Sequence, residues 1–326
     1  MIGGETMKKT YKLLIGALVL VLLVVCILLI YNSTKADTEN SRNYISFSVK
    51  SESKDDDAMK ILTYEYSLEN EKAQLMATLP FNSQYSLSVY DKENNCVYYS
   101  YRDETQCDQL YRYDIENKKS TKLTEDLFAI NYIIPVDDSV YLGAVYKDRR
   151  EVTLLKYENG KLSSLLDDDD LFVQNMSYNP DTQKIVFNTY SNSEAEKRFE
   201  EYNDDPDHLL TGKNTIWALD VMNKDNLPQK VKVVGEGDMG YVISDEKDRI
   251  YYYQDGKHYI LDDDIKQNLT FDELDIYEPI YIKGEDVFFE KGYNQLVKYN
   301  LKTKKSTVLY TENAEKAEID NAIIFN

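Results

Sequence analysis

Two aspartate runs are the residues whose type and spacing could most readily do chemistry: Asp167 to Asp170, and Asp204-Asp205-Pro206-Asp207. Calcium takes about six to eight hard oxygen ligands, and adjacent carboxylates can supply some of them. Neither run has the spacing of a known calcium loop, so a solvated loop that keeps the chain soluble competes with the metal reading. The candidate metal ligands are Asp167, Asp168, Asp169 and Asp170, with Ca2+ as the ion. Few other catalytic parts are visible. The two histidines, His208 and His258, have no motif around them. No Gly-x-Ser-x-Gly elbow, zinc spacing or phosphate-binding loop occurs. Carboxylates are abundant, but their spacing does not single out a glycosidase pair. A Ser-His-Asp site is recognised by geometry and stays open. The expectation is a protein that is not an enzyme.

Charge narrows the partners. The chain has 326 residues, with 58 acids against 38 bases and a net charge of -20. That balance argues against binding nucleic acid or anionic lipid through a general basic surface. The 29 tyrosines suit half-buried pleated surfaces and point to strands; a stacking surface for sugars or peptides is the other use of so many rings.

Residues 13–30 read LLIGALVLVLLVVCILLI, 18 apolar residues without a charge. As a helix at about 1.5 Å per residue they span about 27 Å, close to the hydrocarbon thickness of a bilayer. Lys8, Lys9 and Lys12 precede the segment, and acids dominate the chain beyond it. The positive-inside tendency puts residues 1–12 in the cytoplasm and the rest outside. A cleaved signal peptide has a shorter apolar region, about 7–15 residues, so an uncleaved single-pass anchor in the cell membrane is favoured. Residues 31–42 read as a polar linker. Outside the span lie Cys96 and Cys107. Six residues of strand separate them lengthwise, roughly 20 Å, too far for a disulfide.

The elements that would position any site are announced by a repeat. Residues 109–124, QLYRYDIENKKSTKLT, and 295–310, QLVKYNLKTKKSTVLY, are identical at eight of sixteen positions. Related phrases start at 61, 153, 215 and, more weakly, 258. Each is an alternating strand, a polar turn and a second strand. Most steps between copies are near 40–48 residues, the spacing of a four-stranded propeller blade. Two more strands precede each copy, giving strands A to D from the centre outward. The first copy has a strand B, YISFSVK from 44, but no A; the missing A is AEIDNAIIF from 317. Pairing the two termini closes a ring of six and leaves no open edge along it. The expected fold is all-β: a six-bladed β-propeller over 43–326, with an acidic insertion at 191–212 that is helical over 194–202.

The segment SYNPDTQKIVFNTY, from 177, resembles the repeat of TolB-like six-bladed propellers: a strand ending in Ser-x-x-Pro-Asp, a tight turn, then an apolar strand. Pro180 and Asp181 match, and Thr182 stands where a glycine is usual. The resemblance implies the fold and little about activity, since such propellers host binding modules, secretion accessories and hydrolases alike.

In a propeller the D-to-A and B-to-C connections share one face. Here the D-to-A loops carry Glu125 and Asp126; Asp167 to Asp170; Glu236 and Asp238; Asp272, Glu273 and Asp275; Glu312 and Glu315. Like charges round a channel mouth favour basic partners. Strand B of the split blade starts on the opposite face, so the acidic face should point away from the membrane. The expected function is a membrane-anchored extracytoplasmic scaffold that recognises a basic or neutral protein, peptide or glycan on this face. A calcium-dependent propeller hydrolase or lactonase, and a structural subunit of a membrane complex, are the alternatives. Asn175 and Asn268 lie in glycan-acceptor triplets, which matter only in a eukaryotic secretory route.

Overall fold

The structure is a computed structural model, and it describes residues 43–52, 59–85, 87–204, 212–223, 226–262, 265–269, 279–313 and 317–326. The anchor at 13–30 lies outside these residues, and no described helix is long and apolar enough to cross a membrane.

Six four-stranded antiparallel sheets form the propeller. Blade I pairs β24 (Glu318–Phe325), β1 (Tyr44–Glu52), β2 (Met59–Ser67) and β3 (Lys72–Pro80) from the inside out. Blade II holds β4 (Ser88–Asp91), β5 (Cys96–Arg102), β6 (Asp108–Asp114) and β7 (Lys119–Lys122). Blade III holds β8 (Leu127–Val136), β9 (Ser139–Tyr146), β10 (Thr153–Glu158) and β11 (Lys161–Ser164). Blade IV holds β12 (Leu171–Asn179), β13 (Lys184–Ser191), β14 (Lys213–Asp220) and β15 (Gln229–Glu236). Blade V holds β16 (Met239–Ser244), β17 (Ile250–Gln254), β18 (Lys257–Asp262) and β19 (Ile265–Leu269). Blade VI holds β20 (Pro279–Lys283), β21 (Asp286–Lys291), β22 (Gln295–Asn300) and β23 (Lys305–Thr311). The terminal strands meet as expected: Tyr44 pairs with Phe325, and Val49 with Ile319.

The repeated phrase encodes a turn. Asp114 Oδ1 accepts from the Asn117 amide and Asn300 Oδ1 from the Thr303 amide, each at 2.8 Å. Lys118 and Lys304 then take the left-handed conformation, at φ 51° and 55°. Ser67 Oγ does the same for Asn70, ahead of Glu71 at φ 52°. A short side chain that accepts a backbone N–H three residues on is what closes such turns. The identical letters therefore record one four-residue C-to-D turn written several times.

Burial follows the distance from the centre. In β1, Ile45, Phe47 and Val49 are fully buried, and Ser46 and Ser48 are buried as well. This strand has a blade against each face, so its small polar residues need partners. Ser46 Oγ accepts the Tyr90 amide at 2.8 Å, and Ser48 Oγ donates to the Asp320 carbonyl at 2.8 Å. Outer strands such as β7 and β11 are mostly exposed. The apolar clusters run between blades: one joins Ile134 and Leu154 of blade III to Ile185 and Phe187 of blade IV. Trp217 packs against that cluster, stacked on Phe187, and its indole N–H donates to Thr189 Oγ1 at 2.9 Å. Cys96 and Cys107 are both free. Cys96 pairs with Asp114 at one end of the β5–β6 ladder, while Cys107 precedes Asp108 at the other.

The insertion between β13 and β14 forms helix α1 (Asn192–Asp204), longer than the 194–202 expected, and none of its residues is buried. Its start is capped. Ser191 Oγ accepts the Glu194 amide at 3.1 Å, and Asp170 Oδ1 accepts the Ser193 amide at 2.7 Å. Both satisfy amides that a first helical turn leaves open.

Candidate functional site

Among the described residues, five inner strands carry a one-residue irregularity near the same height. The extra residues are Asn131 in β8, Gln174 in β12, Gly240 in β16, Ile280 in β20, and one residue between Asp320 and Ile323 in β24. A bulge bends its strand and re-aims neighbouring side chains. Here the bulges surround a cavity of about 340 Å³ on the channel axis. Its walls include Asn131, Tyr132, Asn175, Ser177, Tyr241 and Asn321; Tyr85, Glu290 and Asp320 also line it, and Ile133, Ile243 and Ile323 supply apolar surface. No Lys, Arg or His is among these lining residues.

The walls are held by side chains that cross between blades. Along β12, Asn175 donates to the Met239 carbonyl at 2.9 Å and Ser177 to the Val242 carbonyl at 2.8 Å. Asn179 donates to Ser244 Oγ at 3.1 Å and to the Asp245 carbonyl at 2.7 Å. The spacing of two keeps all three on one face of the strand. Tyr132 donates to the Gln174 carbonyl at 2.9 Å, and Asn321 to the Ser88 carbonyl at 3.2 Å. Asn175 also donates to Asn188 Oδ1 at 3.0 Å, so it is a wall residue rather than a surface glycan acceptor. Tyr241 accepts or donates at His258 Nδ1 at 2.9 Å, and burial pushes its hydroxyl well above the usual phenol range.

The channel differs at its two ends. At the A-to-B end, Asp181 accepts from Tyr281, Lys283 and Asn326. Phe325 lies beside them, stacked on Tyr44 and tilted against Tyr178. Burial first, and then the Asp181 carboxylate, push the Tyr281 hydroxyl far above its ordinary value. At the other end Tyr85, 42 % exposed, lies at the cavity wall. Phe128, Phe199 and Tyr293, 51 %, 58 % and 76 % exposed, stand on the same face in a D-to-A strand start, in α1 and in a B-to-C turn.

The acids expected on this face are present where they are described, and most are occupied. Glu125 pairs with Lys122 at 2.9 Å, which also holds Asp103 at 2.9 Å. Burial works to raise the Asp103 carboxyl, but hydrogen bonds from Thr105 and Lys122 hold it well below the ordinary range. Glu236 pairs with Arg198 at 2.6 Å and fastens α1 to the β15–β16 loop. Asp126 and Asp238 are exposed; Asp238 Oδ1 accepts from Gln174 at 3.4 Å. Glu312 accepts from the Tyr310 hydroxyl at 2.7 Å. Asp272, Glu273, Asp275 and Glu315 lie outside the described residues. The face also carries bases: the β9–β10 connection brings Lys147, Arg149 and Arg150 to it.

Within the aspartate run, Asp167 and Asp168 are exposed, and Asp168 Oδ1 accepts the Asp170 amide at 3.0 Å. Asp169 pairs with Arg149. Asp170 caps α1, and hydrogen bonds from Ser191 and Ser193 keep its carboxyl below the usual value. Asp168, Asp169 and Asp170 thus have separate local duties in a loop. Among the described residues no group of three or more His, Cys, Asp or Glu is arranged to hold a metal ion.

The exposed aromatics escape sequence reasoning. Tyr85 and Tyr293 sit in polar turns, where a large ring has no packing reason to be, and that mismatch is the available signal. The bulges carry none, because one added residue leaves the composition of a strand unchanged.

Inner strands that run alike round an axis, a cavity between them, and a ring closed by the two termini define a six-bladed β-propeller. Two solved structures share this arrangement. TolB from Acinetobacter baumannii matches with a TM-score of 0.54 at 14 % identity, over 86 % of this chain and 66 % of that one. A chain in a crystal structure of a nidogen/laminin complex matches with a TM-score of 0.53 at 10 % identity, over 86 % of this chain and 98 % of that one. At these identities the likeness is one of fold. No protein-family model matches the sequence, and no curated protein matches it.

Proposed function

We propose that this chain is a membrane-anchored, extracytoplasmic binding scaffold that holds a basic or neutral protein, peptide or glycan at the cavity mouth, without chemistry. The observation that carries the reading is the make-up of that mouth. Glu290 and Asp320 line the cavity with asparagines and tyrosines and with no basic side chain, and Tyr85 stands at its wall. Such a site attracts cations through its carboxylates, hydrogen-bonds neutral polar groups through its amides, and stacks planar or sugar surfaces on its rings. A rigid ring that presents loops and a central pocket is a common recognition platform. The nidogen/laminin neighbour is a propeller-like chain found in a protein complex, which supports a partner-binding role.

The anchoring half of the proposal rests on residues 13–30. Residue 44 starts β1 on the face opposite the mouth, which suits a mouth turned away from the bilayer and into the extracytoplasmic space.

The test is to probe peptide and glycan arrays with residues 43–326, then measure hits by calorimetry against Tyr85→Ala and Glu290→Gln. Central anchor residues lose on the order of tenfold or more on truncation, and that loss is expected for both variants. Binding that ignores both substitutions, or arrays that return only acidic ligands, would remove the reading.

A further inference from the structure

Ten large apolar side chains are exposed among the described residues, and four of them, Met222, Leu227, Val231 and Val233, lie on one corner of blade IV. Their exposures are 64 %, 57 %, 37 % and 45 %. Met222 and Leu227 belong to the β14–β15 connection; Val231, at a register shift, and Val233 follow in the edge strand β15, with exposed Lys230 between Leu227 and Val231. A cluster of this kind on an edge marks an interaction surface. It is not part of the cavity mouth, whose rings stand on the opposite face.

A chain of contacts ties this corner to the place where the polypeptide enters the propeller. Tyr44, at the start of β1, pairs with Phe325. The next residue, Asn326, donates to Asp181 in the β12–β13 turn. In the same turn the Gln183 carbonyl accepts the Val221 amide at 3.1 Å, one residue before Met222. Entry point and apolar corner therefore share one face, on blades I and IV across the ring. Only 13 residues separate Tyr44 from the apolar segment 13–30. A random-coil chain of that length would have an r.m.s. reach of about 20 Å.

We infer that the corner is a second, interfacial membrane contact: Met222 and Leu227 enter the boundary between headgroups and acyl chains, Val231 and Val233 come in behind them, and Lys230 stays at the headgroup level. The inference rests on the reading of 13–30 as an anchor. The tether supplies the occupant, because it keeps this face at high effective concentration beside a bilayer, where even a weak contact is populated. Apolar side chains of interfacial elements reach about 5–10 Å into that boundary, and a long basic side chain beside them snorkels outward. The contact is apolar rather than electrostatic. Asp137, Asp138, Glu246, Asp248 and Glu285 lie in the A-to-B turns of the same face, so anionic lipid should add little. With Tyr44 on one side of the ring and the corner on the other, this face meets the bilayer and the mouth points outward.

The test uses the full chain in phosphatidylcholine vesicles, with and without bromine on the acyl chains, which quenches nearby tryptophan. Native Trp217 sets the baseline; Met222→Trp and Phe199→Trp report on the two faces. The expected result is at least twofold more bromine-dependent quenching in Met222→Trp than in the unchanged chain, no added quenching in Phe199→Trp, and the same pattern when anionic lipid is included. Met222→Asp with Leu227→Asp should raise the rate at which a water-soluble acylating reagent modifies Lys230 several-fold while the chain still floats with the vesicles. Flotation with no added quenching in Met222→Trp overturns the corner and leaves the anchor standing. Recovery of the chain away from the vesicles overturns both.

Discussion

Asp181 accepts a hydrogen bond from Lys283 at 3.0 Å although a whole blade, V, stands between theirs. The same carboxylate receives the Tyr281 hydroxyl and the Asn326 amide. One side chain from the β12–β13 turn thus joins blades I, IV and VI across the channel. The Lys283 contact is half exposed, and an exposed ion pair contributes about 0–1 kcal/mol. The Tyr281 hydroxyl is the weightier partner, since leaving a buried donor unmet costs about 1–3 kcal/mol. Asp181→Ala is expected to lower unfolding free energy by about that amount, and Lys283→Ala by less than half of it. Urea unfolding monitored by circular dichroism ranks the two; equal effects would mean the ion pair dominates.

Asp103 gives the protein a defined acid response. Its side chain is fully buried, with Thr105 and Lys122 as partners, and its carboxyl is held well below the ordinary value of about 3.9 in the folded state. A depressed carboxylate contributes stability that is present above the unfolded-state value and is lost as pH falls towards the folded-state value. Unfolding free energy should therefore decline below about pH 4. Asp103→Asn should be less stable at pH 7 by about 1–3 kcal/mol and show a shallower decline. Parallel pH–stability curves for the two proteins would rule this out.

Gly143 lies opposite Tyr132, where β8 bulges. A Cβ there would sit 2.7 Å from Tyr132 Cδ2. The ring has little freedom to move aside, because its hydroxyl is tied to the Gln174 carbonyl of the next blade. Gly143→Ala should cost about 1–3 kcal/mol through overpacking. Adding Tyr132→Phe should recover part of the loss by freeing the ring, a coupling that a double-mutant cycle measures.

Removing residues 317–326 takes away β24, the inner strand of blade I. Ile319 and Ile324, both nearly fully buried, leave their cluster with Ile45, Phe47 and Val49. The ladder edge of β1 is exposed with them. The shortened chain is expected to lose its cooperative thermal transition in calorimetry. Supplying the ten residues as a separate peptide should restore it in part, as pairing rather than covalent continuity holds the ring.

Fold and site were legible to different degrees. The blades were visible because period-2 alternation and turn chemistry are local: Asp114 and Asn300 announce their turns within three residues. Closure was visible because a strand B without an A and a spare A at the other end admit one pairing. The cap on α1 escaped sequence reasoning: Ser191 and Glu194 have capping-box spacing, but the expected helix begins at 194 and the aspartates before it point to calcium. The Asp181 junction was not legible. Its partners lie about a hundred positions or more away, and no periodicity selects them. The D-to-A loops that carry Glu125, Asp169 and Glu236 follow from topology, while the pairing of these acids with Lys122, Arg149 and Arg198 depends on side-chain directions that only the folded chain fixes.

Among the described residues the sixth inner strand, β4, is the shortest, four residues long, and Ser88 to Asp91 pair with β5. A wheel of six equivalent spokes would offer a guest six indistinguishable rotations about the axle. One short spoke among longer ones abolishes that degeneracy. A guest of the kind proposed for this hub would meet a keyed socket, with its rotational positions no longer equivalent.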